Sequence, residues 1–162
     1  MQLLIIRHAI AVEPAPGLAD EERTLTEEGV TRFRDAARGL AAVLDPPDVL
    51  LTSPWLRAVQ TAEIAASAWG KVSPKTTNAL GGGRVEHVLK ILDGYRGKKL
   101  VAVVGHEPQL SALLARLLGA PEASRFAFKK GGAALVDLSG DVREGGSLVW
   151  SMPPRLLRAL ER

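Results

Sequence analysis

Three short, uninterrupted apolar runs constrain the fold more than any other feature. They are Leu3-Leu4-Ile5-Ile6, Val49-Leu50-Leu51 and Leu100 to Val104. Each is too short for a buried helix and lacks the polar alternation of a half-exposed strand. They read as strands buried on both faces, as in a parallel sheet covered on two sides. The segments between them carry apolar residues at helical spacing. Phe33, Ala36, Ala37, Leu40, Ala41 and Leu44 follow Thr26, a candidate N-cap, and stop before Pro46-Pro47. Ala58, Ala62, Ile64, Ala65 and Ala68 form a second helix that runs to Gly70, with Ser53 as its expected cap and Pro54 in its first turn.

Val85, Val88, Leu89 and Leu92 predict a third helix, ending near Gly94. Leu110, Leu113, Leu114, Leu117 and Leu118 predict a fourth, closed by Gly119 and Pro121. A weaker strand is expected within Val72 to Thr77, and paired strands over Ala134 to Leu138 and Ser147 to Met152. Leu156 to Leu160 suggests a short last helix. Strands alternating with helices define an α/β domain with a layered sheet. No repeat or internal boundary interrupts the pattern, so residues 1–162 are read as a single domain.

Composition removes several chemistries. The chain has no cysteine, which excludes disulfides, thiolate metal sites and a cysteine nucleophile. Its three histidines, His8, His87 and His106, argue against a histidine-rich metal centre. A net charge of +3 with 4% aromatic residues gives no stacking platform for nucleic acid. Met1 to Ile6 is too short for a signal-peptide core and lacks a basic leader, and no run is long enough to span a bilayer. A cytoplasmic protein without membrane or nucleic-acid partners is expected.

Arg7-His8, Ser53 and Gly105-His106 each directly follow a predicted strand. Ligands of open α/β sheets bind beyond the carboxyl ends of the strands, so three segments bring polar groups to one edge. A neutral histidine is a nucleophile that can carry a phosphoryl group on a ring nitrogen. Guanidinium groups bind phosphate through forked hydrogen bonds. His8 with Arg7 therefore suits phosphoryl transfer, although an Arg-His pair taken alone reads first as a strand end bonding a backbone carbonyl. Arg57, on the first turn of a helix, reads as an anion ligand or as a surface arginine. His106 reads as a donor to developing charge or as a capping histidine.

His87 is expected to be packed or solvated within its helix. Gly81-Gly82-Gly83 lacks the Lys-Ser or Lys-Thr of a nucleotide-binding loop. Lys129-Lys130 reads as a solvated charge pair. Glu13, Asp20, Glu21 and Glu22 crowd the loop after the first strand and could supply an acid.

Taken together, Leu4-Ile5-Ile6-Arg7-His8-Ala9, Leu25-Thr26-Glu27-Glu28-Gly29, Ser53-Pro54-Trp55-Leu56-Arg57-Ala58-Val59-Gln60-Thr61-Ala62 and Val104-Gly105-His106-Glu107-Pro108 resemble, in order, the motifs of the histidine phosphatase superfamily. The small size and the His-Glu-Pro wording look most like its SixA-type phosphohistidine phosphatases. The resemblance implies a three-layer α/β/α sandwich with a mostly parallel central sheet. It implies His8 as the nucleophile that becomes phosphorylated, with Arg7, Arg57 and His106 on the phosphoryl oxygens and Arg23 as an additional contact. No metal or other cofactor is implied.

Ala9 departs from the usual glycine, which is tolerable where the backbone needs no positive φ. Larger members carry a general acid in an insertion for which this chain has little room. Glu86 is a candidate for that role, as is an acid of the Glu13 to Glu22 loop. A positioned acid is worth roughly 10²–10⁴-fold when an alkoxide must leave. Imidazole leaves phosphohistidine more readily. The expected substrate is therefore a phosphorylated histidine on a signalling or phosphotransfer protein. The alternatives are a phosphomonoesterase for a small phosphorylated metabolite and a non-catalytic phosphate-binding module.

Overall fold

The computed structural model describes residues 1–70 and 72–161. Lys71 and Arg162, the last residue of the expected domain, lie outside the described residues. Six strands form one sheet: β1 (Gln2–Arg7), β2 (Val49–Thr52), β3 (Pro74–Thr76), β4 (Leu100–Gly105), β5 (Ala133–Asp137) and β6 (Ser147–Met152). Their spatial order is β3-β2-β4-β1-β5-β6. The first four strands of that order run parallel, and β5 and β6 add an antiparallel side.

Among the described residues five helices cover the sheet: α1 (Glu27–Val43), α2 (Leu56–Trp69), α3 (Val85–Asp93), α4 (Gln109–Leu117) and α5 (Pro154–Ala159). Side chains alternate across a strand, so each buried strand feeds two cores. Leu4 and Ile6 of β1, Leu50, Ala102 and Val104 join Phe33, Leu40, Ala62 and Leu157 beneath α1, α2 and α5. Leu3 and Ile5, with Val49, Leu51, Val101 and Val103, join Leu89, Leu92, Leu110 and Leu113 beneath α3 and α4. This is why those runs are apolar at every position, and it makes the expected three-layer arrangement.

Thr26 caps α1 as anticipated, its hydroxyl accepting from Gly29 N–H at 2.9 Å. Ser53 does not cap α2. That helix starts at Leu56 after Trp55, and Ser53 Oγ is instead turned toward the end of β4, where it meets His106. The short 3-10 turns at Asp20–Glu22, Asn78–Leu80, Ala123–Phe126 and Val142–Glu144 were not legible, because a single turn leaves no periodicity to read.

The glycine of the Leu-Thr-x-x-Gly segment has a packing reason. A Cβ on Gly29 would overlap the Ile10 carbonyl oxygen, so α1 seats directly against the chain leaving β1. Gly29→Ala will therefore destabilise the fold, by about 1–3 kcal/mol for overpacking of this kind. The urea-unfolding midpoint reads it, and an unchanged midpoint would show that the contact relaxes without cost.

Candidate active site

Three strands adjacent in the sheet, β1, β4 and β2, end at a common edge. Register pairs Arg7 with Gly105 and Thr52 with Val104, so His8, His106 and Ser53 each stand one residue beyond the last pair. All three are buried. The start of α2 brings Arg57 to the same place, also buried. A cleft of about 520 Å³ opens over them, lined also by Arg23, Asp20, Trp55, Glu107 and Lys130.

His8 is held in one orientation and one tautomer. Its Nδ1 lies 2.7 Å from the Ala9 carbonyl oxygen. A carbonyl can only accept, so Nδ1 carries the proton and Nε2 keeps its lone pair. Arg57 Nε faces that lone pair at 3.3 Å. The backbone around the ring is pinned as well. His8 N–H donates to Gly105 O at 3.1 Å, and Ala9 N–H to Thr61 Oγ1 at 3.0 Å. Thr61 in turn donates to Arg57 O at 2.7 Å. Gln60 Oε1 accepts Leu25 N–H at 2.8 Å. The Gln-Thr pair of the third motif thus ties α2 to the first two motifs. Among the described residues only glycines have positive φ, so alanine at position 9 carries no backbone strain.

His106 Nε2 meets Ser53 Oγ at 2.7 Å, and that oxygen also accepts Trp55 N–H at 3.2 Å. With the serine hydroxyl donated to Nε2, the His106 ring proton stands on Nδ1. Nδ1 of His106 and Nε of Arg7 are buried and have no hydrogen-bond partner among the described residues. Arg7 is anchored by its other end, Nη1 donating to Phe128 O at 2.6 Å. A buried guanidinium N–H is rarely left unmatched, and with His106 in its Nδ1–H tautomer two such donors beside a histidine lone pair and a guanidinium suit a tetrahedral oxyanion.

Burial depresses both histidines. His8 is lowered to about 4, chiefly by desolvation and further by Arg57, Arg7 and Lys130, against the opposing bond to Ala9 O. His106 is lowered to about 3, by desolvation first and then by the charge of its neighbours. Both are neutral at pH 7, so the His8 Nε2 lone pair, which here accepts from Arg57 Nε, is unprotonated and can attack once the phosphoryl group takes over that donor.

The linkage follows directly. Between pH 6.5 and about 4 the unfolded chain binds protons at these histidines and the native protein does not. Stability is therefore present in full above pH 6.5 and falls as pH drops through that window, by an order of ~3 kcal/mol for His8. Asp20 and Asp48 are held below the ordinary carboxylate value, so their losses come at more acid pH. Urea midpoints from pH 7 to pH 4 should fall for the wild type and fall less for His8→Ala. A flat wild-type profile would contradict the burial argument.

The remaining candidates divide. Arg23 lines the cleft, its Nε donating to Val12 O at 2.8 Å and its Nη1 to Asp20 Oδ1 at 2.6 Å. Glu13 and Asp20 also line it. Glu86 does not line the cleft; it is exposed beside Arg84 on the first turn of α3. His87 is exposed. Lys130 is not a freely solvated lysine, because the turn before β5 folds it to the cleft mouth, half-buried.

One contributor, Trp55, went unread in the sequence, and a second, Ser53, was read at this edge and as a helix cap but not as a partner of His106. Trp55 packs its ring on His106, with centroids 4.6 Å apart, and beneath the Arg57 guanidinium at 4.8 Å. Ser53 orients His106. Their motif position was the available signal. Among the described residues no three His, Asp or Glu side chains gather as a metal-binding group, and no helix is long and apolar enough to cross a membrane.

The family model for the histidine phosphatase superfamily (branch 1) matches residues 3–81. The phosphohistidine phosphatase SixA of Escherichia coli K12 is 30% identical over 159 residues, covering 95% of this chain and 94% of that protein. A solved structure of the protein histidine phosphatase SixA complexed with tungstate superposes with a TM-score of 0.84 at 31% identity, over 97% of this chain and 99% of the other. The alpha-ribazole phosphatase of Shigella flexneri shares the fold, with a TM-score of 0.79 at 20% identity over 95% and 97% of the two chains.

Proposed function

The chain belongs to the histidine phosphatase superfamily, a phosphatase hydrolase with a catalytic histidine, and on that footing we propose that it removes phosphoryl groups from phosphohistidine side chains of proteins. His8 Nε2 attacks phosphorus, and the N–P bond to the substrate imidazole breaks as the new one forms. The departing ring takes a proton from solvent. Water then attacks the phosphoryl group on His8, giving inorganic phosphate and restoring the neutral ring. Arg57, Arg7 and His106 Nδ1–H hold the non-bridging oxygens, and Arg23 and Lys130 add positive charge at the mouth. These groups supply the electrostatic stabilisation with no metal in the scheme.

The observation that carries the reading is the Nδ1 contact of His8 with the Ala9 carbonyl, which leaves Nε2 as the free nucleophile beside Arg57. The choice of an N-phosphorylated substrate rests on the acids. Arg23 first, and then Arg57, hold the Asp20 carboxyl below its usual range, which makes it a poor proton donor. Glu107 is engaged, its Oε1 accepting Ser111 N–H at 2.9 Å. Imidazole leaving from one histidine for another needs no dedicated acid, whereas an alkoxide does. The likeness to the SixA proteins, one of them named as a phosphohistidine phosphatase and another complexed with the oxyanion tungstate, supports the same substrate class.

Glu13 at the cleft favours a second reading, a phosphomonoesterase for a small metabolite. The two separate in one assay: phosphate release from a histidine-phosphorylated phosphotransfer domain beside p-nitrophenyl phosphate, with EDTA present. Release from the protein well above the ester supports the proposal. Turnover of the ester alone, lost in Glu13→Gln, moves the assignment to the second reading, and EDTA-sensitive release would refute the metal-free scheme.

A further inference from the structure

Asp20 joins the two arginines that the phosphoryl group would meet. Its carbonyl oxygen accepts from Arg57 Nη1, its Oδ2 from Arg57 Nη2 at 3.0 Å, and its Oδ1 from Arg23 Nη1 at 2.6 Å. The Arg57 side chain is 5% exposed, whereas that of Asp20 is 48% exposed. A guanidinium offers two forked edges, one at its end and one along its side through Nε. Asp20 takes the end edge with two oxygens. The side edge is left facing His8 Nε2, where Arg57 Nε stands at 3.3 Å.

We propose that Asp20 is a positioning residue, a strap that holds Arg57 and Arg23 so that the side edge of Arg57 is aimed at the transferred phosphoryl group. The assignment rests on the phosphatase reading of this site. Two physical reasons support it. A buried guanidinium without end-edge acceptors would keep unmatched N–H groups and would turn to find partners. In addition, one carboxylate between two cations offsets their mutual repulsion before any oxyanion arrives, so the site is organised in advance.

The segment that carries Asp20 is itself tethered. Val12 N–H donates to Thr24 O at 2.9 Å, and Ala11 bridges Leu25. Arg23 returns Nε to Val12 O within the same loop. The loop after β1 is thus tied down on both sides of Asp20, although its acids Glu13, Asp20, Glu21 and Glu22 are exposed.

The test uses orthophosphate as the probe on the full chain. Calorimetric affinity and the guanidinium NMR resonances of Arg57 are compared in wild type, Asp20→Ala and Asp20→Asn. Asp20→Ala is expected to weaken phosphate binding by about tenfold and to collapse the separate Nη signals of Arg57. Both variants keep the backbone carbonyl that accepts from Arg57 Nη1; Asp20→Asn also keeps one side-chain oxygen, so it should fall between the two, and as a near-isostere it guards against a folding defect. Phosphate binding that is unchanged or tighter in Asp20→Ala would overturn the proposal, tighter binding meaning that the carboxylate competes with the oxyanion. Weaker binding with unaltered Arg57 resonances would overturn it too, as would a wild type that binds no phosphate. If binding and resonances behave as expected while no phosphohistidine protein is turned over, the substrate assignment fails and the role of Asp20 stands.

Discussion

His8→Ala is expected to lower phosphate release from a phosphohistidine protein by at least ~10³-fold, the scale of losing a nucleophile that works with a preorganised set of donors. Arg7, Arg57 and His106 would remain to bind the phosphoryl group, so the loss should appear in kcat far more than in KM. Wild-type enzyme labelled with ³²P and quenched in alkaline detergent should carry label that is stable in base and labile in acid, as an N–P bond is, and His8→Ala should carry none. Alanine removes a buried neutral ring and creates no buried charge, so the circular dichroism spectrum should be retained. Residual turnover near the wild-type rate, or label on a residue other than His8, would remove His8 from the nucleophile's role.

Arg57→Ala should cost ~10²–10³-fold in kcat/KM, the usual effect of removing one preorganised donor to developing charge. Arg57→Lys should recover little of it. The native guanidinium faces His8 with its side edge and Asp20 with its end edge at the same time, and an ammonium point charge cannot span both. Lysine also lacks the planar face that lies over Trp55. Steady-state kinetics on the same phosphohistidine substrate decides this. A lysine variant within a factor of a few of wild type would mean that only charge matters at position 57.

How much of this was legible in the sequence depends on the residue. The strands were readable because burial on both faces leaves no polar position in Leu3 to Ile6 or Leu100 to Val104. The placement of Arg7-His8 and Gly105-His106 at a common edge followed from where those runs stop. The roles of Gly29, Gln60 and Thr61 were carried in the motifs as residue types, but their reasons were not visible. Gly29 answers to the Ile10 carbonyl, Gln60 to Leu25 N–H and Thr61 to Ala9 N–H, each a partner brought close only by folding.

Local spacing misled in three places. Ser53 has the chemistry of a helix cap, yet α2 starts later at Leu56 and the Ser53 hydroxyl meets the buried imidazole of His106, just beyond β4. Glu86 follows the glycine run closely in sequence, but α3 directs it to solvent. Lys130 reads as a solvated lysine, but the turn before β5 brings it to the cleft.

The sequence by itself determined the layered α/β architecture, the edge at which chemistry gathers and the family, because apolar periodicity and ordered motifs are local properties of the chain. Only the tertiary structure decided which nitrogen of His8 is free, which donors are left unmatched, and that one loop aspartate straps two arginines. Those depend on distances between residues far apart in the chain, and a hydrogen bond acts only within a few tenths of an ångström of its ideal length.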